Sequence, residues 1–270
     1  MVRVLKVLVV VLVSMAFAQS AYGWGSAGHA VIGYIADCNL TPRARKMCSK
    51  YLGHSLAYHA SWMDEWRYSE EYHHTARWHS VGVKEGEFVP SSLSGSTAYY
   101  AAPLTMDDHG VARLNQLQEE LKNYRQLSDS AVVVNLKCII HIVGDLHCPG
   151  HIFFADKKQY IMKEGGRKRN IHDYMDNTFI RFNKGKNAAD FYDAYCRLTK
   201  AEIAKLCEGD MESWIRGNEQ TLREWYTLLS PTIDYKELPE QNKLRLKDIT
   251  DELHRNAGFR LAYIINQIFK

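Results

Sequence analysis

The sequence predicts a mainly α-helical fold organised as a single domain. Three observations carry this expectation. Apolar residues recur at three- and four-residue spacing, as in Val111, Leu114, Leu117 and Leu121, which places them on one helical face. Helix start and stop signals bracket such segments: Thr41-Pro42 opens one and Gly53 closes it. A hydroxyl can accept from a free amide, proline fits the first turn, and glycine fits the left-handed turn that ends a helix. Finally, neither a repeat nor a shift of composition divides residues 24–270, a length compatible with one large core.

Residues 1–23 read as a secretory signal: Arg3 and Lys6 precede an apolar run from Val7 to Phe17, and Ala21-Tyr22-Gly23 supplies small residues at a cleavage site. Cleavage makes Trp24 the first residue of the mature chain. The apolar run is well short of the roughly 20 residues that span a bilayer, so a secreted or periplasmic protein without a stable membrane anchor is expected. The first helix beyond it is predicted over residues 42–52. Val81 to Pro103, rich in Gly, Ser and Pro, reads as a long loop with a short hairpin. Residues 109–127 form an amphipathic helix. Residues 130–146 are far more apolar and, taken alone, could be strand; their length and the placement of His141 and Asp145 favour a buried helix. The helical pattern continues over 187–206, 212–229 and 246–268, with Ile249, Leu253, Ala257, Leu261, Ile264 and Ile268 marking the last inner face.

Composition excludes little but narrows the partners. The net charge is +3, and loss of Arg3 and Lys6 with the signal leaves it nearly neutral, so global charge gives no sign of nucleic-acid binding. Six cysteines (Cys38, Cys48, Cys138, Cys148, Cys196, Cys207) in an exported chain allow up to three disulfides. A metal-thiolate site is disfavoured because no Cys-x-x-Cys occurs. Asn39-Leu40-Thr41 is a glycosylation sequon, meaningful in a eukaryotic host.

Chemistry concentrates in His141-x-x-x-Asp145 and its echo His172-x-x-x-Asp176. On a helix, residues four apart share a face, so each pair aims an imidazole and a carboxylate at one point. Further along the same pattern stand His29, Asp64, His79 and His151, several of them in apolar sequence where an unpaired carboxylate is costly. Imidazole nitrogen and carboxylate oxygen are zinc ligands. Any one of these alone is as readily a hydrogen-bonded core residue; together they point to more than one metal ion. His54, His59, His73, His74, His109, His147 and His254 lack that pattern and read as surface or supporting residues.

The motifs Trp24-Gly25-x-x-Gly28-His29, Trp62-x-Asp64-x-x-Arg67, His141-x-x-Gly144-Asp145-x-x-x-Pro149-x-His151 and Asn170-x-His172-x-x-x-Asp176 together resemble those of the S1/P1 family of zinc-dependent nucleases. The resemblance runs in motif order from Trp24 to Asp176 and, as helical pattern, to Lys270. It implies a helical fold of the phospholipase C/nuclease type, three zinc ions, and single-stranded DNA, RNA and 3′-nucleotides as substrates; the chain is expected to be a monomer. By motif position Asp64, His79, His141 and Asp145 would hold one zinc. His151, His172 and Asp176 would hold a second. The α-amine and carbonyl of Trp24, with His29 and Asp145, would hold a third, making Asp145 a bridge. Two zincs joined by one carboxylate can lower the pKa of a shared water toward about 7. Arg67 matches the family's arginine, whose fork of donors suits charge on phosphoryl oxygens.

The chain departs from the family around base recognition. Ser80-Val81-Gly82-Val83 follows His79 where many members carry an acidic residue, and Asp156-Lys157-Lys158-Gln159-Tyr160 replaces a glycine-rich stretch. Base and strand preference are therefore left open. Lys163, Arg167, Lys168 and Arg169, just before His172, are candidate contacts to a nucleic-acid backbone, although a charge run is commonly a solvated face. Tyr99, Tyr100, Phe153 and Phe154 are candidate stacking residues with core packing as the default. Two rival functions stand beside the nuclease: a zinc phospholipase C-like phosphodiesterase, and a secreted zinc-binding protein that has lost catalysis.

Overall fold

The computed structural model describes residues 24–91, 105–156, 161–229 and 234–270. The signal segment, Tyr99 and Tyr100 lie outside the described residues, as do the side chain of Arg169 and residues 157–160. The fold is mainly α, as expected. Thirteen helices are described: α1 (Gly25–Asn39), α2 (Pro42–Leu52), α3 (Leu56–His59), α4 (Trp62–Trp66), α5 (Gly110–Lys122), α6 (Asp129–Asp145), α7 (Ile171–Asp176), α8 (Thr178–Phe182), α9 (Ala188–Tyr195), α10 (Lys200–Leu206), α11 (Met211–Gly217), α12 (Glu219–Leu228) and α13 (Glu240–Ile268). None among the described residues is long and apolar enough to cross a membrane.

Helix α6 is the buried axis. Val132, Leu136, Ile139, Ile140, Ile142 and Val143 are each at most 1% exposed, so it is apolar on nearly every side, as a central helix must be. Ser128 starts it by accepting from the Ala131 amide. Helix α13 packs along α1, and a side chain at Gly258 would meet Ile35 Cβ at 2.4 Å; glycine there lets the two backbones approach. Helix α2 has the expected ends: Thr41 accepts from the Ala44 amide, and Gly53 closes it at φ 71°.

Several boundaries differ from the sequence reading for local reasons. The segment 187–206 is two helices, because Thr199 and Glu202 form a capping box that starts α10 afresh. The segment 212–229 divides at Asn218, which leaves helical geometry between α11 and α12. Helix α13 begins at Glu240, behind Pro239, earlier than its inner face suggested, because its first turns are polar and carry little periodic signal.

Two small sheets complete the fold. In the first, β1 (Val81–Lys84) forms the expected hairpin with β2 (Glu87–Val89), turning through Glu85 and Gly86, both at positive φ. Strand β3 (Ile152–Phe154) adds to β1 in parallel, Val81 facing Ile152 and Val83 facing Phe154. The second sheet is a hairpin of β4 (Ile161–Glu164) and β5 (Arg167–Asn170), turning at Gly165-Gly166, both at positive φ. The basic run therefore lies on this hairpin, with Lys163, Arg167 and Lys168 exposed. Phe154 is 1% exposed and packs in the core.

The structure pairs none of the six cysteines, so the expected disulfides are not found. Cys48, Cys138 and Cys148 contribute to the main core and Cys196 and Cys207 to a smaller cluster around Phe191 and Phe259. There they pack as small apolar side chains.

Candidate metal centre

The end of α6 supplies His141 and Asp145 one turn apart, both fully buried. The His141 Nδ1–H donates to the Ala60 carbonyl at 2.7 Å, which fixes the tautomer and turns Nε2 inward. There Nε2 lies 3.0 Å from Asp145 Oδ2 and 3.7 Å from Asp64 Oδ1. Asp64 arrives on α4, which packs against α6. His79 ends a 3₁₀ turn over His73–His79, and its Nδ1 lies 2.8 Å from Asp145 Oδ2 and 3.6 Å from Asp64 Oδ1.

On the other side of the same carboxylate, His29 Nε2 lies 3.1 Å from Asp145 Oδ1. The imidazole reaches it because Gly144 has no side chain: a Cβ there would meet His29 Nδ1 at 2.7 Å. Trp24 is 1% exposed, its indole Nε1–H donates to the Gly144 carbonyl at 2.8 Å, and its ring packs on His254. The N-terminal end of α1 is thereby tied to the end of α6.

The third grouping hangs from β3. His151, at the end of a 3₁₀ turn over Pro149–His151, donates from Nδ1–H to the His79 carbonyl at 2.6 Å. The parallel pairing of β1 with β3 thus aligns the segments carrying His79 and His151. His151 Nε2 then lies 2.9 Å from His172 Nε2 and 3.7 Å from Asp176 Oδ1, while His172 Nε2 is 3.6 Å from Asp176 Oδ2. Strand β5 leads directly into α7, so the basic hairpin and this grouping are adjacent in the chain.

These spacings suit metal ligands. Donor atoms about 2.0–2.1 Å from a tetrahedral zinc lie about 3.3 Å from one another. The chemistry agrees: among the described residues neither carboxylate oxygen of Asp64 makes a hydrogen bond, nor do His29 Nδ1 and His79 Nε2, although all are buried, and Asp64 has the ion pair with Arg67 beside it. Such groups are costly without a compensating charge or donor. Among the described residues, three sets of side chains place candidate ligand atoms within 4.8 Å of one another: His29, His141 and Asp145; Asp64, His79 and His141; and Cys148, His151 and Asp176. The sequence reading missed Cys148. Its signal is its place three residues before His151, which a search for Cys-x-x-Cys spacing does not detect. Burial pushes its thiol well above the ordinary range, with Asp176 adding to the effect.

Electrostatics are strongly coupled. Burial alone would depress His141, but Asp145 and Asp64 together outweigh it and raise the imidazole to about 9. Burial opposes ionisation of Asp145, yet His141 and His151 hold its carboxyl well below the usual range. His79 falls to about 4, with burial outweighing Asp145. Arg67 stands at the rim, Nη1 3.2 Å from Asp64 Oδ1 and Nη2 donating to the Tyr68 hydroxyl at 3.0 Å. Burial works against its charge, but Asp64 and Tyr68 prevail and its pKa is raised.

Two other buried histidines brace the centre. His147 donates to the Val143 carbonyl and accepts from Arg260, and His254 donates to the Thr250 carbonyl. Burial depresses both to about 3, against about 6.5 in an unfolded chain. Between those values the unfolded chain binds more protons, so stability present above about pH 6.5 is lost as pH falls toward 3. His141, raised in the fold, loses its contribution only as pH rises through 9, so it does not offset this slope. Melting curves of chelator-treated protein should show Tm falling steadily below about pH 6.5; a flat Tm down to pH 4.5 would contradict the assignment.

A family model described as S1/P1 Nuclease matches residues 24–270. Nuclease S1 of Aspergillus oryzae (strain ATCC 42149 / RIB 40) is 25% identical over 273 residues, covering 92% of this chain and 93% of that protein. Nuclease P1 of Penicillium citrinum is 26% identical over 197 residues, covering 72% of this chain and 64% of that protein. With the match spanning every segment that carries a candidate ligand from Trp24 to Asp176, the chain belongs to the S1/P1 nuclease family.

Proposed function

We propose that this chain is a secreted, zinc-dependent nuclease that hydrolyses phosphodiester bonds of single-stranded DNA and RNA to 5′-phosphate products and acts as a 3′-nucleotidase. The observation that carries the reading is the two-sided use of Asp145: Oδ1 faces His29 while Oδ2 faces His79 and His141. A carboxylate so placed can serve two ions, and few structural roles require three imidazoles around one buried aspartate.

The ligand sets we assign are Asp64, His79, His141 and Asp145 for one zinc, His151, His172 and Asp176 for a second, and Trp24, His29 and Asp145 for a third. The α-amine of Trp24 becomes available if the chain is cut after Gly23, and the family match begins at Trp24. Bound zinc supplies a Lewis acid that acidifies water and stabilises charge on a departing oxygen. The protein's part is to hold these donors rigid. His141 and His151 are each locked by an Nδ1–H bond to a backbone carbonyl, so their inward nitrogens are preorganised. Arg67 presents a permanent charge beside Asp64 to the phosphoryl oxygens. Lys163, Arg167, Lys168 and Arg169, on the hairpin that leads into α7, are assigned to the nucleic-acid backbone.

The test is a substrate panel on zinc-loaded mature protein with and without chelator, comprising single-stranded DNA, RNA, 3′-mononucleotides and phosphatidylcholine. Chelator-sensitive cleavage of the nucleic acids is expected. Turnover of phosphatidylcholine alone would favour a phospholipase, and a fully loaded protein inert on all four would mark a binding protein. Arg67→Ala should lower kcat by about 10²–10³-fold, the cost of removing one preorganised charge-stabilising donor, with zinc content unchanged by mass spectrometry. Full activity of that variant would remove Arg67 from the mechanism.

A further inference from the structure

Base recognition has no evident home on the strand that follows the His79 ligand. Val81 and Val83 are buried, Gly82 has no side chain, and Ser80 donates to the Ser91 hydroxyl. The rim beside Arg67 is different. Tyr68 is 66% exposed, an unusual position for so large an aromatic next to a buried ligand cluster. Its ring lies under the Arg67 guanidinium, 5.0 Å from centroid to Cζ, and its hydroxyl accepts from Nη2 at 3.0 Å. The same guanidinium contacts Asp64 through Nη1 at 3.2 Å. Tyr68 is thus one side chain away from the metal-facing carboxylate, with most of its ring open to solvent.

Trp66 is also exposed, at 46%, but it faces elsewhere. Two residues after Asp64 on α4 it points to the opposite side of the helix, and it packs with Trp62 and Tyr72. Arg67, three residues after Asp64 and closing the helix through its amide bond to the Met63 carbonyl, returns to the side of Asp64, and Tyr68, just beyond the helix, is held there by its contact with the Arg67 guanidinium.

Resting on the nuclease reading, we propose that Tyr68 is a base-binding residue. Its open ring stacks on a nucleobase flanking the scissile phosphate, while its hydroxyl holds Arg67 against that phosphate. A base is joined to its phosphate through one sugar, so an aromatic ring set just beyond the phosphate-facing arginine lies where a base must pass. Stacking on an aromatic ring is tolerant of base identity, which suits a strand-degrading enzyme with no acidic side chain placed to read a base edge after His79.

The test uses zinc-loaded protein and a dinucleoside monophosphate, which has one scissile bond, with its two singly abasic counterparts. Tyr68→Leu, an exposed substitution, should raise KM for the intact substrate about tenfold and leave KM unchanged for the abasic substrate that lacks the stacked base. Tyr68→Phe keeps the ring and loses the hydroxyl, so KM should hold while kcat falls several-fold through Arg67. Tyr68→Leu should show that kcat loss with all three substrates, but if it also raises KM for all three equally, the ring does not stack and the proposal fails. If wild-type protein does not cleave single-stranded DNA at all, the nuclease reading fails first, and the two failures are told apart by that control.

Discussion

Asp145→Asn is expected to remove two zinc ions together and to lower kcat/KM by at least about 10³-fold, since each 1.36 kcal/mol of lost transition-state stabilisation is a factor of ten. Asparagine preserves shape but presents one neutral oxygen and one amide nitrogen. Whichever way it turns, either His29 on one side or His79 and His141 on the other faces a group that cannot ligate. His172→Ala is the proper comparison: it lies in the grouping with His151 and Asp176 and should cost a single ion. Native mass spectrometry of both variants reads the difference directly. One ion lost from each would contradict a bridging role for Asp145.

A chain that retains residues before Trp24 is expected to bind one zinc fewer and to lose activity by about 10²-fold or more, because an amide nitrogen replaces a basic amine as ligand. The environment makes this loss hard to repair. Trp24 is 1% exposed and pinned by its indole to Gly144 beside Asp145, so the backbone there has little freedom to present another donor. Protein beginning at Trp24 and protein beginning at Ala21 should differ both in zinc content and in turnover of single-stranded DNA. An uncleaved form with full zinc and full activity would exclude the amine as a ligand.

The helices that build the site were legible because their signals are local. Thr41-Pro42 and Gly53 mark the ends of α2, and the apolar density of residues 130–146 marks α6. The ligands were legible for a different reason: His141 with Asp145 and His172 with Asp176 carry helical spacing. The site's assembly was not. Nothing in the chain announces that Val81–Lys84 pairs in parallel with Ile152–Phe154, because a four-residue strand has little periodicity and its partner is remote. The β4–β5 hairpin is weakly signalled: Gly165-Gly166 is a turn signal, but its flanks are charged and basic rather than alternating apolar. Cys148 carries a weaker signal: it stands three residues before His151, but Asp176, the other member of its group, is remote in the chain.

That parallel pairing also sets a limit on how the gene can vary. Register along a strand has a period of two, so a shift by one residue turns every side chain to the other face. A single-residue deletion between His79 and Val81 would leave the apolar content of β1 intact, yet it would force a choice between keeping Val81 against Ile152 and keeping the His79 carbonyl against His151. The hairpin tip at Glu85-Gly86 is tied by Arg216, which donates to the Gly86 carbonyl at 2.7 Å, and sets no register between β1 and β3. The short link that resembles an ordinary loop is therefore the gauge by which two distant pieces of the molecule are measured against each other.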